Sequence, residues 1–310
     1  MQQQPSSRLL AYPRRGTTLL EVLASLAIIS VLLALVIPAV SAGRKEAGVT
    51  QCLSNLKGIA TTGLLYSKDN AERLGLESFP ALPWHLGFDT PWGSVGLISE
   101  FIYGGYRTTA VAPGVPENAD FRIIPTEARP FNKYIAPGIG GTSPLRQYVC
   151  PADGWERTPT VGEEPPEADE SISSWEANGN SYALNWYWVE GSPSYDVYSS
   201  LDEMHAYGTA MLSKKIGALA SKFVVFMEGA MNAYMYDARP PDGSEGESPI
   251  QTLGMGWHGR HSTYSMAMWD GHAEYRFIDT RFTSDYGYNT WPEPNTPWPQ
   301  FKKNLAGREE

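Results

Sequence analysis

The chain has 310 residues, 42% hydrophobic and 19% charged, a composition that supports a sizeable packed core and excludes general disorder. A net charge of −10, with pI near 5.1, excludes a surface that tracks phosphates, since such surfaces need clustered Lys and Arg; no nucleic-acid partner is expected. The two cysteines, Cys52 and Cys150, exclude a disulfide-dense scaffold and a four-Cys zinc site, and leave one bridge at most.

Residues 1–16 hold Arg8, Arg14 and Arg15 and no acid, and lead into an uncharged apolar run from Val22 to Val40. As a helix those 19 positions extend roughly 28 Å, close to the ~30 Å of a hydrocarbon core. A cleaved secretory signal places its small-residue cleavage site after the apolar region, whereas here Gly16 lies before it, beside the arginines. A cut at Gly16 removes the basic leader and keeps the hydrophobic helix. Of the 24 basic residues 21 then remain against 34 acids, a charge of −13 that suits a soluble exported body.

The string Arg14-Arg15-Gly16-Thr17-Thr18-Leu19-Leu20-Glu21-Val22-Leu23 resembles the processing site of type IV prepilins and type II secretion pseudopilins. The resemblance implies cleavage between Gly16 and Thr17, methylation of the new amine, Glu21 as the assembly carboxylate and a helix kink at Pro38. Thr17 stands where that family usually carries Phe. The role of Glu21 also has a physical argument: a carboxylate in a membrane helix is costly and is normally found with a partner, which the ammonium of a neighbouring subunit would supply. The competing use is local, since a carboxylate one turn into a helix favours the N-terminal dipole.

Beyond the apolar run, Leu53, Leu56, Ile59, Ala60, Gly63 and Leu64 recur at helical spacing between Gln51, Asn55, Lys57 and Thr61, so the helix is predicted to continue to about Asn70 with its apolar stripe on a sheet. The string from Cys52 to Lys57 resembles the start of the globular part in large prepilin-type proteins. Weaker resemblances to the same group occur at Tyr148 to Asp153 and at Ser181 to Asn185. Between them, residues 79–148 read as loops with short elements and residues 156–176, rich in acids and prolines, as a solvated loop without the ligand spacing of an EF-hand. Cys52 and Cys150 either bridge helix and head or stand as two buried thiols; an oxidising compartment favours the bridge.

Lys222 to Met227 is predicted as a central strand, being β-branched, aromatic and bounded by polar residues. A loop is expected from Asp237 to Ser248. Ser262 to Trp269 and His272 to Ile278 then flank Asp270-Gly271, a hairpin signal. A two-residue turn pairs Trp269 with His272, Met268 with Ala273, Met266 with Tyr275 and Tyr264 with Phe277, with positive φ at both Asp270 and Gly271, and places His261 opposite Thr280. The face carrying Tyr264, Met266 and Met268 is expected to pack on the helix. Arg260-His261, eight residues and Asp270-Gly271-His272 resemble the H-x9-D-G element of prepilin-type proteins with one spacer residue fewer, and His261, Asp270 and Gly271 are read as structural hairpin residues.

The expected fold is α+β, a long N-terminal helix packed on an antiparallel head. Its parts are a leader at 1–16, a transmembrane assembly helix at 17–42, an amphipathic continuation at 43–70 and an exported head at 71–310. The expected function is a structural subunit, a minor pseudopilin or pilin, in the inner membrane with its N-terminus inside and head outside, and then in a filament. Its expected partners are other pilin subunits, a prepilin peptidase and an inner-membrane platform. The competing role is an anchored lectin-like binding module using Trp175, Trp186, Trp188, Trp291 and Trp298. No nucleophile elbow, zinc-protease motif or phosphate loop is present, so no enzyme, cofactor or metal is expected.

Overall fold

The computed structural model describes residues 18–70, 88–96, 99–109, 117–141, 145–154, 172–185, 220–237, 255–279, 284–285 and 288–289. Two compact units divide the chain, 1–46 and 47–310. Helix α1 runs Leu19–Asp69, continuous through Pro38. In the first unit its side chains are exposed, and from Val22 to Val40 they carry no charge and are mostly apolar.

The second unit opens with the remainder of α1, where Cys52, Leu56, Ile59, Ala60 and Tyr66 are buried at helical spacing. Asn55 is buried as well, contrary to its expected place on the polar face. Its amide Nδ2 donates to the Val149 carbonyl at 2.9 Å and to the Tyr182 hydroxyl at 3.2 Å, and these partners offset the cost of desolvation. The helix ends at Asp69, and Asn70 closes its last turn through its own N–H and side-chain amide on the Tyr66 carbonyl.

A short hairpin follows, β1 (Phe88–Thr90) and β2 (Gly93–Val95), then one-turn helices α2 (Asp120–Ile123) and α3 (Asn132–Ile135). Helix α4 (Ser174–Asn178) is closed by a capping box between Ser173 and Glu176 and by Gly179 in the left-handed region. The main sheet is antiparallel with order β3-β4-β5-β6, from β3 (Tyr182–Leu184), β4 (Val224–Glu228), β5 (Thr263–Met268) and β6 (Ala273–Phe277). Helix α5 (Gly229–Asp237) leaves β4 directly, and a two-residue pair, β7 (Ser284–Asp285) and β8 (Tyr288–Asn289), lies beyond the sheet in sequence.

Two apolar clusters form around this sheet. One joins α1 to Tyr103, Phe131, Tyr148, Tyr182, Phe226 and Ala267. The other joins Met231 of α5 to Val224, Met227, Tyr264, Met266 and Met268. A bulge between Val224 and Phe226 explains how β4 serves both: Val225 and Phe226, adjacent in sequence, belong to the α1 cluster, while Val224 and Met227 belong to the other.

The β5–β6 hairpin differs from the sequence expectation by one residue. Its pairs are Thr263 with Phe277, Tyr264 with Arg276, Ser265 with Tyr275, Met266 with Glu274 and Ala267 with Ala273. Gly271 alone has positive φ (+90°), whereas a two-residue turn requires it at Asp270 too. The connection is therefore the three residues Trp269, Asp270 and Gly271, closed by Met268 N–H to the His272 carbonyl at 2.8 Å. Trp269 does not face His272, and Thr280 lies outside the described residues. The slip turns Tyr264, Met266 and Met268 away from α1 and leaves it the smaller Ala267 and Ala273. Small residues let the helix come close: a Cβ on Gly271 would lie 3.4 Å from Leu64 Cδ1, and one on Gly63 3.2 Å from Phe226 Cε2.

Candidate functional site

Two regions concentrate the residues that carry chemistry. The first is the start of α1, where Thr18 and Glu21 form a reciprocal cap. The Thr18 N–H donates to Glu21 Oε2 at 2.8 Å, its hydroxyl donates to the same oxygen at 3.1 Å, and the Glu21 N–H donates to Thr18 Oγ1 at 3.3 Å. The Thr-x-x-Glu spacing allows this, satisfying N–H groups that the first helical turn leaves open. Ser25 and Ser30 likewise turn their hydroxyls onto the carbonyls of Glu21 and Leu26, both at 2.8 Å. Pro38 has no N–H to offer the Ala34 carbonyl one turn back. Gly16, Thr17 and the leader lie outside the described residues.

The second region is the seam between α1 and the head. It brings together the three strings Cys52 to Lys57, Tyr148 to Asp153 and Ser181 to Asn185. Cys52 and Cys150 are joined by a disulfide across Cα atoms 5.4 Å apart. Asn55 reaches Val149 and Tyr182, and Gln147 Nε2 donates to the Asn55 carbonyl at 2.5 Å. The Cys150 N–H donates to Ser181 Oγ at 3.0 Å, whose hydroxyl donates to Asp153 Oδ2 at 2.6 Å. Asp153 also accepts the N–H groups of Ser174 and Trp175, at 2.9 and 3.0 Å, and thereby anchors α4. Burial pushes its carboxyl up to about 6, against the pull of these donors.

Two side chains at this seam escaped sequence reasoning. Glu228, wholly buried at the end of β4, accepts the Trp257 N–H at 3.1 Å and the Ser265 N–H at 3.0 Å, and burial pushes it up to about 7. It ties the loop 255–262 to β5. His258 projects from that loop, buried, with Nε2 3.7 Å from Cys150 Sγ and its ring edge-on to Tyr275. Gly256 and Gly259 flanking Trp257-His258 were the available signal for a turn that inverts the chain.

The hairpin residues are separate from both regions. His261 is exposed, paired with Met255 in an isolated bridge, and its carbonyl accepts the Thr263 hydroxyl at 2.9 Å. Asp270 Oδ1 accepts the His272 N–H at 3.1 Å and contacts Nδ1 of the same residue, while Glu274 contacts its Nε2 at 2.9 Å. Partial burial disfavours the His272 cation, but the two carboxylates outweigh it and raise the imidazole above its usual range. Of the tryptophans considered for binding, Trp175 is half-buried, with its ring 6.0 Å from that of Tyr106; Trp186, Trp188, Trp291 and Trp298 lie outside the described residues.

Residues 13–37 match the family model of the prokaryotic N-terminal methylation motif. The match does not extend to the stretch from Arg260 to His272. No curated protein and no solved structure matches the chain. The chain thus carries a prepilin-type N-terminal segment, an apolar helix long enough to cross a membrane and an α+β head with antiparallel sheets.

Proposed function

From the prepilin-type motif at residues 13–37 we infer that the chain is a pilin-like or pseudopilin-like structural subunit, a minor component of a type II secretion pseudopilus or type IV pilus. The motif is the observation that carries this reading; the exposed apolar surface of α1 supports it and fits a single-pass membrane anchor. In this reading a prepilin peptidase cuts between Gly16 and Thr17 on the cytoplasmic side and methylates the Thr17 amine. The helix then leaves the bilayer for a bundle of like helices, assembled on an inner-membrane platform with the head outside.

Glu21 pairs with the Thr17 amine of a neighbour in this scheme, and Pro38 permits a bend in the helix. The intramolecular cap with Thr18 occupies the carboxylate in the isolated chain, so assembly exchanges one set of hydrogen bonds for another. The role is structural, and the chemistry belongs to the peptidase.

Mass spectrometry of the mature protein tests the reading. The expected N-terminus is Thr17 bearing one methyl group; a chain starting within residues 40–45, or retaining its leader, refutes it. Glu21→Ala is expected to leave the head folded and membrane-bound while filament incorporation falls roughly tenfold, the factor that about 1.4 kcal/mol of lost pairing produces. Normal incorporation would remove the assembly role of Glu21.

A further inference from the structure

We propose that in the reduced chain Cys52, Cys150 and His258 form a zinc site, and that closure of the disulfide expels the ion. The three donor atoms lie within 4.8 Å of one another, and all three residues are buried. In a tetrahedral site with Zn–S near 2.3 Å and Zn–N near 2.0 Å, sulfur and nitrogen stand about 3.5 Å apart and two sulfurs about 3.8 Å apart. The separation of 3.7 Å between Cys150 Sγ and His258 Nε2 is already close to that edge. Once the S–S bond is absent, side-chain rotation of the two cysteines supplies the remaining separation.

The donors come from three separate parts of the fold, each held without help from the bridge. Cys52 sits on α1 one turn before Asn55, which is bonded to Val149 and Tyr182. Cys150 is held through its N–H on Ser181. His258 is held by the Glu228 carboxylate on the Trp257 N–H, and by Gly256, where a Cβ would fall 2.1 Å from the Thr263 carbonyl. The reduced chain therefore keeps an imidazole beside both thiols.

The ligand chemistry selects the ion. Two thiolates and an imidazole suit zinc and disfavour calcium or magnesium, which take oxygen ligands. A pair of buried thiolates is untenable without compensating charge, and a divalent ion cancels it. Three protein ligands leave the fourth position to water or a small exogenous ligand. On oxidation the two zinc-bound thiolates lose two electrons to a disulfide oxidant R–S–S–R and form the Cys52–Cys150 bond. The oxidant takes up two protons to become two R–SH, and zinc leaves as the free divalent ion. The ion thus holds α1 to the head until the bridge replaces it, independently of any membrane role.

Full-length protein in detergent micelles, reduced with a non-thiol phosphine, is titrated with cobalt(II) chloride and then zinc chloride. The reduced chain should take up about one ion, with thiolate-to-cobalt charge-transfer absorption that zinc removes, while the oxidised chain takes up none. His258→Ala should weaken binding by more than the roughly tenfold that loss of an outer-shell partner costs. Joint Cys52→Ser and Cys150→Ser substitution should abolish it. Absence of cobalt uptake by the reduced chain overturns the proposal, as does unchanged affinity in His258→Ala. If the reduced chain unfolds, failure of zinc to restore the circular dichroism of the oxidised form overturns it equally.

Discussion

Glu228 illustrates how a single side chain sets the pH response of the head. Its carboxylate is fully buried, and burial outweighs the two backbone donors, holding it at about 7 against an ordinary value of 4.5. A group raised in this way contributes stability that is complete below its unfolded pKa and is lost as pH rises through its folded pKa. Asp120 and Asp153, both pushed up to about 6 by burial, act in the same direction. Head stability should therefore fall between about pH 4 and pH 7, with Glu228 contributing on the order of 3 kcal/mol, since each tenfold gain in proton affinity on folding is worth about 1.4 kcal/mol. Thermal melts followed by circular dichroism across that range test this, and Glu228→Gln should flatten the curve while lowering its acid maximum, because the amide cannot accept both N–H groups. A flat wild-type profile would mean that these carboxyls bind protons equally well in the folded and unfolded chain. Neither Glu228 nor His258 was legible in the sequence: an acid ending an apolar strand and a histidine between glycines look like surface residues until distant segments close over them.

At the scale of elements, the pattern of residues announced more than the register did. Helix α1, the central strand β4 and the β5–β6 hairpin all follow from periodicity and turn chemistry, and the three short strings around Cys52, Cys150 and Ser181 meet at one seam. The face of β5 that meets α1 was not legible, because Asp-Gly serves a two-residue turn and a three-residue turn with one left-handed glycine alike, and one residue of slip exchanges the faces. Local sequence supports both registers; the depth available under α1 favours alanines on the inner face. Gly271→Ala should destabilise the hairpin by about 1 kcal/mol, since φ of +90° is strained for any Cβ and Leu64 already lies 3.4 Å from where it would sit. A shift in the chemical denaturation midpoint at constant slope would measure it; no shift would mean that the loop relaxes to another turn.

Over the whole molecule, the disulfide closes a loop across a sequence separation of 98 and joins α1 to the seam. Constraint of the unfolded chain over such a loop is worth up to about 4.7 kcal/mol in the chain-entropy account, with observed losses more often about 2–4 kcal/mol. Joint replacement of Cys52 and Cys150 by serine should lower denaturant stability by that amount in metal-free buffer, and an unchanged midpoint would mean that packing alone secures the helix. The same cross-link has a topological effect. A protease that nicks the backbone anywhere between residues 53 and 149 yields two fragments that stay covalently joined, so the head can suffer one cut in that span and remain attached to the N-terminal helix.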